Sequence, residues 1–366
     1  MSEPRPILIV AGSRDDTGVG ILALETAAKL AADRILAPVV YGVHGPLLHA
    51  ASSLGLSTVD LTGLAQSERR RWIATCTSGA VHLVHALGFE VADSIRSSGA
   101  AGLLPLVVTA DASRPNRSLP PWRHYDRGNT PVRWLVHGST ATTRLVQSGA
   151  TPGDEVMTLP LLGFFGSADA DWSAARAAAR RLLSLTPGAR VVVGVGPLGS
   201  PALRYLEDAA ARPTRRAIVG IWINTGPAKT ARGRRARWVT VVESTDGRRL
   251  LPAMDVLLAD GTTLAARHPA VDAVRAGVPV VTTPTDVAAG LVLQSVNGYV
   301  CSPGEFGAAI GAAVAMAVAR TLPRHPLDRM GRDPLIDTAE VTARCYSSIL
   351  GRPLLRPLLI GRRAAG

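Results

Sequence analysis

The segment "AVDAVRAGVPVVTTPTDVAAGLVLQSVNGYVCSPGE" (residues 270–305) changes character several times in its length, and its reading decides the fold class. A helix-like stretch runs to Ala276-Gly277, where glycine permits a tight exit. The β-branched run VPVVTT (278–283) follows, with Pro279 at a strand start, where its missing N–H matters least. DVAAGLVL then reads as a second helix, and Asn297-Gly298 as a turn. Helix, buried strand, helix and turn in this order belong to a layered α/β sheet.

The same alternation extends in both directions. PILIVAGS (6–13) is a strand running into the glycine loop DDTGVG and a helix over 20–35, and APVVYGV (37–43) completes a βαβ unit. Further strands are expected at 81–89, 103–112, 132–139 and 154–163, with helices between them. An Ala-rich helix (168–185) interrupts the series, which restarts at RVVVGVG (190–196) and continues through AIVGIWIN (217–224), VTVVES (239–244), MDVLLAD (254–260) and VPVVTT. The expected architecture is α/β: two Rossmann-like doubly wound domains facing each other across a cleft. The expected boundaries are 1–165, a hinge helix at 166–188, a second domain at 189–322, and a tail, 323–366, packing back on the body.

The composition is that of a globular protein, with 47% hydrophobic and 19% charged residues in 366, and the length favours two domains. No apolar run reaches the roughly 18 residues needed to cross a bilayer. The N-terminus lacks a basic region and a cleavage site, so a cytoplasmic protein is expected, with peripheral membrane contact left open. Cys76, Cys301 and Cys345 are far apart and without metal-ligand spacing, and are read as small buried hydrophobes. The formal charge is +12, and all basic residues except Lys29 and Lys229 are arginine. The clusters at 69–72, 231–238, 247–249 and 361–363 point to an anionic partner: nucleotide phosphates, an acidic membrane surface or nucleic acid.

The residues D-A-V-R-A-G-V-P-V-V-T-T (272–283) and N-G-Y-V-C-S-P-G-E (297–305) resemble the donor-nucleotide region of GT-B glycosyltransferases. The likeness is greatest to the retaining family-4-type enzymes, whose pattern runs E-G-F-G-x-x-x-x-E-A-M-A-x-G-x-P-V-V-x-T and closes on G-x-x-G-x-L-V. The order holds over most of the chain: DDTGVG matches the N-terminal glycine loop, VVTADASRP the acceptor-side loop and RVVVGVG the first donor-domain strand. The resemblance implies transfer of a sugar from a nucleotide-diphosphate donor to an acceptor hydroxyl with retention, without a metal or a further cofactor. Two departures stand out. The first glutamate of the family's pair falls on Leu264 and the second is the shorter Asp272, and VGPLGSPALRY lacks the usual Arg and Lys that neutralise the leaving diphosphate. These departures keep open a catalytically inactive relative that supports a partner protein, as the Arg clusters keep open an enzyme acting on nucleic acid.

The residues expected to do the work follow from this reading. Asp272 would accept the ribose hydroxyls, or else be a helix-capping or solvated carboxylate. Gly196, Thr262 and Thr263 lie at the strand ends and loop of the expected donor side, while Gly18 and Gly20 form a glycine-rich turn that admits a phosphate or acceptor, or is simply tight. Lys229 and Arg234, with Arg232 and Arg235, would supply the missing positive charge. Asp111, just past LVVT, would orient or deprotonate the acceptor hydroxyl. Trp122, His124 and Tyr125 sit in a Pro/Arg/aromatic loop suited to an acceptor lid, and His85 and His137 are read as structural.

Overall fold

The computed structural model describes residues 5–11, 17–43, 45–77, 81–97, 104–109, 132–147, 156–163, 172–186, 188–211, 218–224, 238–243, 247, 249–260, 268–319 and 334–351. The chain divides into two compact units. Unit 1 comprises Met1–His137, Ala141–Pro160 and Pro334–Gly366, and unit 2 comprises Gly138–Thr140 and Leu161–Asp333.

Unit 1 holds β1 (Arg5–Ala11), β2 (Leu36–Gly42), β3 (Ser57–Asp60), β4 (Val84–Leu87), β5 (Leu106–Thr109), β6 (Val132–His137) and β7 (Val156–Leu159). They form one parallel sheet in the order β3-β2-β1-β4-β5-β6-β7. The helices are α1 (Thr17–Ala32), α2 (Pro46–Ser53), α3 (Gln66–Thr77), α4 (Phe89–Ser97) and, from its third residue on, α5 (Ser139–Gln147). Sheet side chains at alternate positions, Ile7, Ile9 and Ala11, share a core with Leu24, Ala27 and Leu30 of α1. The C-terminal helix of the described chain returns to this core by placing Ala339, Ala343, Cys345 and Tyr346 in it.

Unit 2 holds β8 (Arg190–Gly196), β9 (Ile218–Asn224), β10 (Val239–Glu243), β11 (Val256–Ala259), β12 (Val280–Thr282) and β13 (Gly298–Val300), all parallel, in the order β10-β9-β8-β11-β12-β13. Its helices are α6 (Trp172–Leu182), α7 (Pro201–Ala211), α8 (Pro269–Arg275) and α9 (Phe306–Ala319), and α10 (Pro334–Leu350) is the one that returns to unit 1. From Val191 to Gly196 strand β8 is apolar and buried because both of its faces are covered. Val191, Val193 and Val195 pack in one layer with Ala270, Ala273 and Val274 of α8, while Val192 packs in the other with Leu203 of α7 and Ile310 of α9. Among the described residues no helix is long and apolar enough to cross a membrane.

The opening segment is realised with one correction. Helix α8 ends at Gly277, whose φ of +67° is the left-handed exit that glycine allows, and its N–H donates to Val274 O at 3.1 Å. DVAAGLVL is not an α-helix, however: Val287–Leu291 forms a short 3-10 segment. The side chain of Asn297 stops it, donating to Leu291 O (3.0 Å) and accepting from Leu293 N–H (2.7 Å). Gly298 then lies so close to Val280 that a Cβ would sit 1.9 Å from its carbonyl oxygen, which holds β13 against β12.

The helix expected as a linker, α6, is anchored within unit 2. Asp255, only 7% exposed, accepts from Arg176 Nη2 at 2.6 Å, from Arg180 Nη1 at 3.3 Å and from the Val191 N–H at 2.8 Å. Arg180 also donates to the Ala189 carbonyl at 2.8 Å, so one carboxylate ties α6 to the starts of β8 and β11. Removing that carboxylate strands guanidinium groups at a buried seam, and Asp255→Ala is expected to destabilise unit 2 by about 3 kcal/mol in urea unfolding. A loss below about 1 kcal/mol, the range of surface pairs, contradicts this.

Candidate functional site

In open parallel sheets, ligands bind outside the carboxyl ends of the strands where the strand order reverses. In unit 2 that point lies between β8 and β11. The loop leaving β8 ends at Ser200, whose Oγ accepts from the Ala202 N–H at 3.0 Å and so caps α7, with Pro201 as first helical residue. The same hydroxyl donates to the carboxylate of Asp260, the residue following β11. Two strand ends and one helix N-terminus are thereby locked together.

The start of α8 is built from buried polar groups. His268 caps it, its Nδ1 accepting from the Ala270 N–H at 3.1 Å. Because Nδ1 accepts, the ring proton sits on Nε2, which faces Asp286 Oδ1 at 3.3 Å. Asp286 in turn caps the 3-10 segment through the Ala288 N–H at 2.7 Å. The backbone N–H of His268 donates to Leu162 O at 2.7 Å, docking the segment just past the crossing from unit 1. Asp272 lies in the first turn of α8, where the helix dipole favours its charge. It is only 3% exposed, and its carboxylate is pressed against Gly163.

The other expected site residues fall as follows. Asp111, Lys229, Arg234, Thr262 and Thr263 lie outside the described residues, as do Trp122, His124 and Tyr125. Gly196 ends β8, and its carbonyl accepts from the Trp222 indole N–H at 2.9 Å. Gly18 and Gly20 are in the first turn of α1, and a Cβ on Gly20 would meet Leu47 Cδ2 at 2.7 Å, so Gly20 has a packing role there. In the 69–72 cluster, Arg69 is committed to the Leu64 and Thr62 carbonyls, while Trp72 is 47% exposed. Cys345 is buried, and burial pushes its thiol up to about 12.

His268, Asp286, Ser200 and Asp260 were not singled out from the sequence. Ser-Pro before the helix 201–211 is a legible start signal for Ser200. His268 and Asp286 carry none, since a histidine cap paired with an aspartate beyond the next strand exists only in three dimensions.

The two histidines have structural partners in unit 1, as their reading anticipated. His137 Nδ1 lies 2.9 Å from Pro160 O. His85 bridges Tyr346 Oη and Thr109 Oγ1, each at 2.7 Å, with one ring nitrogen donating and the other accepting.

No protein-family model matches the chain, and no curated protein sequence matches it significantly. Solved structures do. Anabaena Alr3699/HepE, in complex with UDP-glucose, gives a TM-score of 0.67 at 17% identity over 93% of this chain and 99% of that one. A glycosyltransferase from Rickettsia africae gives 0.68 at 12% identity over 96% and 95%. A UDP-GlcNAc 2-epimerase from Neisseria meningitidis, bound to UDP-GlcNAc, gives 0.56 at 11% identity over 95% and 100%. The likeness is one of fold, and that fold is the GT-B architecture of two Rossmann-like units in series.

Burial holds the imidazole of His85 neutral, lowering its pKa from 6.5 to about 3. The unfolded chain binds this proton below pH 6.5 and the folded one does not until about 3, so the neutral side chain's contribution is complete above 6.5 and lost as pH falls. Across that window the wild type is expected to lose up to about 1.4 kcal/mol per pH unit more than His85→Gln, measured by denaturant unfolding. Parallel pH profiles for the two proteins contradict it.

Proposed function

We propose that the protein transfers a glycosyl group from a nucleotide-diphosphate sugar to an acceptor hydroxyl. The observation that carries the reading is the rim of unit 2: a parallel-sheet switch point with a capped helix N-terminus at β8 and the carboxylate of Asp272 in the first turn of α8. Helix N-termini favour a diphosphate, and a carboxylate accepts the two hydroxyls of a ribose. The fold likeness to a protein holding UDP-glucose supports the same assignment.

In this reading unit 2 holds the donor and unit 1 the acceptor. The acceptor oxygen bonds to the anomeric carbon as the bond from that carbon to the diphosphate oxygen breaks, and the departing phosphate takes the acceptor's proton, with retention. Lys229 and Arg234 are proposed to compensate the charge of the leaving diphosphate, and Asp111 to orient the acceptor hydroxyl. Thr262 and Thr263, which lie in sequence between β11 and α8, are proposed donor contacts.

A second reading, a nucleotide-binding protein without transferase activity, is favoured by Leu264 in place of the resembled family's first glutamate. Calorimetry with UDP, GDP, ADP and dTDP and their sugars, together with an assay for sugar release, separates the two. The expected result is micromolar binding of one nucleotide and slow hydrolysis of its sugar, with Asp272→Ala weakening binding by about 30-fold, the value of a charged hydrogen-bonding group. Binding without any sugar release supports the inactive reading. Absence of binding by every nucleotide removes both.

A further inference from the structure

Asp272 is reached by the chain itself before any ligand. A Cβ built on Gly163 would lie 2.1 Å from its Oδ1, 2.8 Å from Cγ and 3.1 Å from Oδ2, so the backbone of Gly163 lies against the carboxylate and a side chain at this position would have to displace one of the two. The neighbouring Leu162 carbonyl is fixed by the His268 N–H at 2.7 Å, and His268 is itself held at Ala270 and Asp286. The Leu162 carbonyl and the close approach of Gly163 to the carboxylate thus both dock the segment Leu161–Gly163 against α8.

A ribose diol needs both carboxylate oxygens at hydrogen-bond distance, roughly 2.7 Å, and a carboxylate that is 3% exposed does not offer them. We infer that Gly163 and the ribose of a bound nucleotide compete for the Asp272 carboxylate, so that nucleotide entry releases Leu162–Gly163 from α8. This rests on the nucleotide reading of unit 2 and adds to it a coupling between donor binding and the first residues past the crossing from unit 1. Thermodynamically the docked segment is an internal competitor: the free energy needed to displace it lowers the apparent nucleotide affinity, and anything that undocks it beforehand restores that affinity by the same factor.

The His268 amide, whose hydrogen bond ends on Leu162 O, reports the docked state directly. Hydrogen–deuterium exchange at this amide is measured in the full chain with and without saturating UDP, and again in Gly163→Ala. UDP is expected to speed exchange in the wild type about tenfold or more, as for a local opening. In Gly163→Ala the added Cβ dislodges the segment, so exchange is fast without nucleotide, UDP adds little, and UDP binds several-fold more tightly. UDP binding that leaves His268 exchange unchanged or slowed overturns the inference and leaves the nucleotide reading intact. Failure of UDP and all other nucleotides to bind either protein defeats the nucleotide reading, and the inference with it. Should Gly163→Ala fail to fold by circular dichroism, the wild-type pair of measurements decides alone.

Discussion

Parallel alignment of the strands is the constraint on which the rest of the structure depends. Every strand pair in both sheets is parallel, so each connection must cross a face and return to the amino end of its neighbour. Both faces are therefore covered, which explains why β8 from Val191 on and all of β11 are apolar without alternation. It also places the start of each following helix at the carboxyl rim of its sheet. The caps of α7 and α8, Ser200 and His268, stand there with Asp260 and Asp286 beside them.

Burying so much sheet makes unpaired polar groups costly, and several of the buried polar groups act as long-range ties. Asp255 collects two arginines of α6 and a backbone N–H of β8, joining a helix and two strand starts. His85 joins β4 to β5 and to the returning helix α10 through Thr109 and Tyr346. Trp222 lies in register with Gly194, and a Cβ there would meet its ring at 2.3 Å, while its indole N–H takes the Gly196 carbonyl. Each tie is satisfied within one unit, so each unit has its own polar scaffold as well as its own core.

At the rim of unit 2 the same economy of space brings the proposed nucleotide ligand and the docked Gly163 onto one carboxylate. Asp272 occupies the place in the helix where a ribose ligand is expected, and the chain fills that place with Gly163. On the proposed reading, one group serves both as the docking point for Leu162–Gly163 and as the ligand of the nucleotide, which links the two events without a separate regulatory element.

Much of the fold was legible because strands and helices are local. The β-branched runs, the glycine exit at 276–277 and the Pro279 strand start gave the strands and helices of unit 2 at nearly their observed positions, and the alternation gave the parallel α/β class. DVAAGLVL was misread as an α-helix because its periodicity does not reveal Asn297, six residues on, capturing the Leu291 carbonyl. Of the site, the sequence by itself pointed to Asp272 at the head of its helix. Only the tertiary structure decided that Gly163 covers it, that His268 pairs with Asp286, that Asp255 gathers arginines from 75 and 79 residues away, and that His85 meets a tyrosine 261 residues on. Hydrophobic periodicity is written between neighbours a few positions apart, whereas the partner of a buried polar group is set by the meeting of distant chain segments in space.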